Sequence, residues 1–147
     1  MINISIFRYK LDLKTPFRIA HGTYAFRENV FVTLERDGHF GFGEAAVVPY
    51  YWVSPESLEK DIRKGVSGGL TEEILVNLGR DLKDRFEYPV SFCALQSALI
   101  NLLCSLKDKS CAETLGIGGG REKIPTSFTV DYREDPERSE ERRVGKE

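Results

Sequence analysis

The side chains with the clearest claim to chemistry are three cysteines, two histidines, a lone carboxylate after a Gly-x-Gly turn, and a glycine-rich run. Cys93, Cys104 and Cys111 are odd in number and lack the C-x-x-C spacing of zinc and redox sites. Cys93 falls in the apolar sector of a helical pattern, so all three read as buried or indifferent thiols. Gly116-x-Gly118-Gly119-Gly120 follows a helical pattern and opens none, whereas a phosphate loop follows a strand and opens a helix. Glu44 looks buried, and a single carboxylate there is expected to anchor a loop and to bind no metal. One further cluster, Tyr50-Tyr51-Trp52 after Pro49, fits neither helical nor strand periodicity. No catalytic residue and no metal ligand is assigned within the chain.

The elements that must position these residues belong to one domain of ordinary size. The chain has 147 residues, 41% hydrophobic and 30% charged, enough for one core. A formal net charge of -2 from nearly balanced acids and bases gives no strong positive field, which disfavours nucleic acid as a partner. No apolar run approaches the roughly 18 residues of a membrane span, and Met1-Ile2-Asn3-Ile4 lacks the parts of a signal peptide. The expectation is a cytoplasmic protein with no membrane partner.

Alternation over residues 2–13, with Ile2, Ile4 and Ile6 on one side, predicts a first strand. Residues 29–35 and 40–44, joined at Asp37-Gly38, predict a β-hairpin. Ser54-Pro55 predicts a cap and first turn for a helix over 55–65. Thr71 caps a second helix, stapled by Leu70 and Leu75 and fading near Tyr88-Pro89. Phe92, Leu95, Ala98, Leu99, Leu102, Leu103 and Leu106 recur at helical spacing and must be largely buried. Ser110-x-x-Glu113 is a capping box for a short helix closing at Leu115-Gly116. The three glycines at 118–120 then form a flexible link to a strand over 124–130. From Arg133 onward the chain is almost wholly charged, and residues 133–147 are expected to be disordered. The fold class is α+β: a three-stranded antiparallel meander, three to four helices, then one strand without a partner.

This order of elements, with Leu13-Lys14-Thr15-Pro16-Phe17-Arg18, Val30-Phe31-Val32-Thr33-Leu34-Glu35, Gly41-Phe42-Gly43-Glu44-Ala45, Ala94-Leu95-Gln96-Ser97-Ala98-Leu99 and Pro125-Thr126-Ser127-Phe128-Thr129-Val130, resembles the start of the enolase superfamily. The subgroup holds muconate cycloisomerases, o-succinylbenzoate synthases and dipeptide epimerases, and the likeness covers about residues 1–132. It implies a capping domain over 1–120 and the first strand of a modified TIM barrel over 121–132. The charged tail 133–147 resembles no barrel sequence and reads as foreign or out-of-frame. The resemblance further implies a homo-oligomeric enzyme that uses Mg²⁺ and paired lysines to epimerise a dipeptide next to its carboxylate. The Lys-x-Lys motif, the acidic metal ligands and the opposing lysine belong downstream of Asp131 and are absent, so this fragment is expected to bind no Mg²⁺ and to be inactive. An o-succinylbenzoate synthase or cycloisomerase is the alternative within the family. A free-standing module that binds a small ligand or partner is the alternative outside it.

In that family two loops of the cap reach over the barrel mouth and shape specificity. The first corresponds to residues 16–24 and offers Arg18, Ile19, His21 and Thr23 as substrate contacts. Arg18 would pair with a substrate carboxylate or stand as a solvated charge at a strand end. His21 would touch substrate or be a hydrogen-bonded structural histidine. The second loop corresponds to residues 47–52, where Tyr50 and Tyr51 would form an aromatic lid or pack against the first helix. Thr129, on the first barrel strand, is a further candidate for a hydrogen bond to substrate.

Overall fold

The computed structural model describes residues 1–19, 22–48 and 52–117. Three strands come first, β1 (Asn3–Ile19), β2 (Gly22–Arg36) and β3 (His39–Ala45), in the spatial order β1-β2-β3. Four helices follow: α1 (Pro55–Gly65), α2 (Glu72–Val76), α3 (Pro89–Lys107) and α4 (Cys111–Thr114), with a 3₁₀ helix over Arg80–Arg85 between α2 and α3. The meander and the helices match the predicted α+β class. Among the described residues the chain divides into two units, one holding Met1–Leu11 and residues 28–117, the other Asp12–Arg27. The expected strand at 124–130 and the charged tail lie outside the described residues.

The larger unit is built on the β2–β3 hairpin. Arg36 pairs with His39 across Asp37 and Gly38, both at positive φ (52° and 79°), the backbone a two-residue type I′ turn requires. This register places Val30, Val32 and Leu34 of β2 beside Gly41, Gly43 and Ala45 of β3 on one buried face. α3 lies across that face with Ala94, Leu95, Ala98, Leu99 and Leu102 buried. Contact is so close that a β-carbon on Gly41 would fall on the Ala98 carbonyl oxygen, 2.6 Å from the Leu102 amide nitrogen. One on Gly43 would fall on the Ala94 carbonyl oxygen. Small residues on both partners are therefore what lets the helix sit down on the sheet.

α3 also corrects an expectation about apolar length. Among the described residues it is the one helix long and apolar enough, by length and composition, to cross a membrane. Its apolar face is occupied by the sheet and by Leu58, Ile62, Leu75 and Leu82, which share the same core. Cys93 is exposed, against the expectation, because the buried arc runs through Ser91, Ala94, Leu95 and Ala98, one step around the helix. Phe92 and Leu106, at the margins of the arc, are half-buried.

The helix ends follow their side chains. Ser54 Oγ accepts from the Ser57 amide at 3.2 Å ahead of Pro55. Thr71 Oγ1 accepts from the Ile74 amide at 3.3 Å, and the staple residues Leu70 and Leu75 are both buried. The single long helix expected after Thr71 is broken, because Asn77 Oδ1 takes the Gly79 amide at 3.0 Å and Leu78 and Gly79 turn left-handed (φ 59° and 68°). The chain then re-enters as the 3₁₀ segment, and both Leu78 and Leu82 reach the core. At α4 the capping box is complete: Glu113 N donates to Ser110 Oγ at 3.2 Å, and Ser110 N to Glu113 Oε2 at 2.9 Å.

α3 starts at Tyr88, whose side chain provides no cap. The approach to the helix is held from another helix: Asp61 of α1 accepts the amides of Glu87 at 2.9 Å and Tyr88 at 3.1 Å, just ahead of Pro89. Asp61 is only 6% exposed, and these two donors satisfy its buried carboxylate. Arg63 extends the same tie to the sheet by donating to the Ile6 carbonyl at 2.7 Å.

Candidate functional site

The first of the two segments expected to reach over a substrate takes a different form from the expected loop. Residues 13–19 continue β1 and residues 22–27 continue β2, so Arg18, Ile19 and Thr23 stand on the facing ends of one long hairpin. Thr15, Phe17 and Ile19, then Thr23, Tyr24 and Phe26, are strand-forming types, which explains the extension. Among the described residues β1 is at one edge of the sheet, the kind of strand in which a proline such as Pro16 is tolerated. Gly22 opens β2 at φ 145°. Arg18 and Thr23 are exposed, and the Arg27 guanidinium lies 3.8 Å over the centre of the Tyr24 ring, a cation–π contact. His21 lies outside the described residues.

The second segment leaves β3 after Ala45 and is tied down by a pair that sequence reasoning only half foresaw. Glu44 is exposed, contrary to its buried look in the sequence, and its Oε1 accepts from Asn29 Nδ2 at 2.6 Å. Buried Asn29 accepts the Val47 amide on its Oδ1 at 3.0 Å. Glu44 therefore anchors a loop, as expected, but acts through Asn29, which no local motif singled out. Val47 and Val53 both pack against the core, so the aromatic run between them is held at its two ends. Pro49, Tyr50 and Tyr51 lie outside the described residues. Trp52 does not pack on the first helix: it is 94% exposed, at a left-handed φ of 55°.

The structure thus brings Arg18, Ile19 and Thr23 together at one hairpin end, while His21, Tyr50, Tyr51 and Thr129 lie outside the described residues. The other histidine, His39, is structural, with Nδ1 2.9 Å from Ser105 Oγ. Among the described residues no group of three or more His, Cys, Asp or Glu side chains is placed to hold a metal ion.

No family model matches the chain. It is 36% identical over 150 residues to an L-Ala-D/L-amino acid epimerase from a Maribacter species, covering 90% of this chain and 40% of that protein. It is 30% identical over 129 residues to a hydrophobic dipeptide epimerase from a Flavobacteria bacterium, covering 83% of this chain and 35% of that one. In structure it is similar to the dipeptide epimerase from Methylococcus capsulatus, complexed with Mg and the dipeptide L-Arg-D-Lys. The TM-score is 0.76 at 25% identity, over 97% of this chain and 42% of that one. The chain spans about two fifths of the length of the relatives it matches. In sequence the chain is similar to the corresponding part of dipeptide epimerases, and its three-stranded sheet followed by helices has the fold of the amino-terminal capping domain of enolase-type proteins.

Proposed function

We propose that this chain is the substrate-covering part of a Mg²⁺-dependent enzyme that epimerises a dipeptide at the α-carbon of its carboxyl-terminal residue. The reading is carried by the 36% identity, across 90% of the chain, to an L-Ala-D/L-amino acid epimerase. Mg²⁺ enters by way of the Methylococcus relative. The described residues here do not fit that ion, so they are assigned no metal ligand and no proton transfer. Their role is selection. The exposed hairpin end, with Arg18 and Thr23, supplies polar contacts, and the aromatic segment anchored by Val47 and Val53 excludes water from a bound dipeptide.

The test is a chimera in which residues 1–132 replace the matching part of the Maribacter epimerase. Among L,L-dipeptides the ratio of kcat/KM values should move by about tenfold, which is about 1.4 kcal/mol of differential transition-state binding. A folded, active chimera with the recipient's own ratios would remove the specificity role. The 147-residue polypeptide itself should exchange no α-proton of a dipeptide with deuterated solvent in the presence of Mg²⁺. Exchange above a protein-free control would place the acid–base residues within it.

A further inference from the structure

Cys104 and Cys111 are seven residues apart, a spacing that carries no motif, yet their sulfur atoms lie 3.4 Å apart. Cys104 sits in the last turn of α3 and is 8% exposed, while Cys111 opens α4 and is exposed. The approach is imposed by the connection between the two helices. Asp108 ends α3 in the left-handed region (φ 51°), the Lys109 amide donates back to the Cys104 carbonyl at 3.1 Å, and the Ser110 capping box starts α4 at once. α4 buries no residue of its own. Among the described residues the sulfur contact is the one side-chain bond between α4 and the end of α3.

We propose that Cys104 and Cys111 form a reversible disulfide site that takes a small-molecule disulfide such as oxidised glutathione as its oxidant, and that clasps α4 to the end of α3. The exposed Cys111 thiolate attacks one sulfur of the glutathione disulfide, whose S–S bond breaks and releases one glutathione thiolate. Cys104 then loses its proton, and its sulfur attacks Cys111 Sγ of the mixed disulfide and expels the second glutathione thiolate. The two protons lost by the cysteines end on the two leaving thiolates. Two protein thiols are oxidised to one disulfide, and one glutathione disulfide is reduced to two glutathione thiols. Closing the sulfurs to about 2.05 Å asks for a movement of about 1.4 Å, within reach of a short, weakly packed helix. The thiol contact with Cys104, and then burial, push the Cys111 thiol above its ordinary range, so the first step quickens as pH rises.

Cys93 is the internal control. It is exposed on α3, eleven positions before Cys104 and so about 16 Å along the helix axis, too far to take part. The full 147-residue chain is incubated with oxidised glutathione, alkylated, and mapped without reduction after trypsin. Cleavage at Lys107 and Lys109 separates Cys111 from the 86–107 peptide, which carries both Cys93 and Cys104, so the linked pair is fragmented to show that Cys104 and not Cys93 holds the bond, and the Cys93→Ser chain gives the same linked pair. The expected result is loss of the Cys104 and Cys111 thiols together, with no glutathione retained on either, and a mixed disulfide as the end point at Cys93. Cys93→Ser should leave the reaction intact. Cys111→Ser should leave Cys104 reduced, and both substitutions are at exposed positions that leave the core untouched. On oxidation, amide exchange over residues 111–117 should slow. A stable mixed disulfide at Cys111 beside a free Cys104, bonds between separate chains, or reduced Cys104 and Cys111 while Cys93 reacts would each overturn the proposal. Unchanged exchange in α4 after the bond forms would overturn the clasp.

Discussion

The amide of Tyr88, at the start of α3, donates to the carboxylate of Asp61 in the middle of α1, 3.1 Å away. This bond and its neighbour from Glu87 fix where the core helix begins. Asp61→Ala leaves two partly buried donors unsatisfied, at about 1–3 kcal/mol. Asp61→Asn retains one acceptor oxygen and should lose less. Urea titration should show a lowered midpoint with an unchanged slope, in the order wild type, Asn, Ala. An unchanged Ala midpoint would mean that water satisfies those amides.

Gly43→Ala should be among the most damaging single-methyl substitutions in the chain. The added carbon would fall on the Ala94 carbonyl oxygen, forcing β3 and α3 apart, for about 1–3 kcal/mol or more. Gly38 offers the contrast. A β-carbon there meets nothing within 4 Å, but its φ is 79°. Gly38→Asn, which tolerates that region, should therefore lie close to wild type. Thermal melts of the two variants give the comparison, and equal losses would contradict the packing argument.

Stability should fall in acid, and the sign follows from three carboxylates. Glu35 is held below the ordinary range chiefly by Asn3, Glu56 by its own backbone amide and Ser54, and Glu113 by Ser110. Each binds its proton less readily folded than unfolded, so its contribution is fully present above the ordinary value near 4.5 and is lost as pH falls through the lowered one. Denaturation midpoints measured from pH 6 down should decline across that window. Glu113→Gln should weaken the decline for α4 amide exchange in particular.

Trp52→Ala should leave the unfolding midpoint within about 0.5 kcal/mol of wild type, because the ring is 94% exposed. In the active chimera the same change should lower kcat/KM for dipeptides if the aromatic run covers substrate. A large stability loss with normal kinetics would return Trp52 to a packing role.

The outer face of the sheet should bind a hydrophobic dye. Phe7 stacks on Phe31 with ring centres 5.8 Å apart, Tyr9 meets Phe31 edge-on at 6.3 Å, and Phe40 stacks on Phe42 at 6.3 Å. Phe7, Tyr9, Phe40 and Phe42 are all exposed. Replacing Phe42 by Lys should reduce dye fluorescence with little change in stability. Dye binding that survives in this variant and in the equivalent change at Phe7 would place the site elsewhere.

The sequence by itself determined the elements whose signals are local. Asp37-Gly38 can only make a tight turn, Ser54-Pro55 and Ser110-x-x-Glu113 satisfy helix-end amides with their own atoms, and the three-and-four spacing of α3 marks a helix that must be covered. The resemblance was legible in the order and spacing of several segments, among them Gly41-Phe42-Gly43 and Ala94-Leu95-Gln96-Ser97-Ala98, whose small residues meet in the fold. What depended on distant partners was not legible. The family resemblance implies a loop over residues 16–24, whereas strand pairing carries β1 on to Ile19 and starts β2 at Gly22. Asn77 and Gly79 broke a helix that its leucine spacing suggested was continuous, since Leu78 and Leu82 reach one core from two different segments. Asn29 under Glu44, Asp61 under Tyr88, and Cys104 beside Cys111 answer to no spacing rule. Each pair exists because packing α3 against the sheet and α1 fixes where chain segments end, and only the folded backbone carries that information.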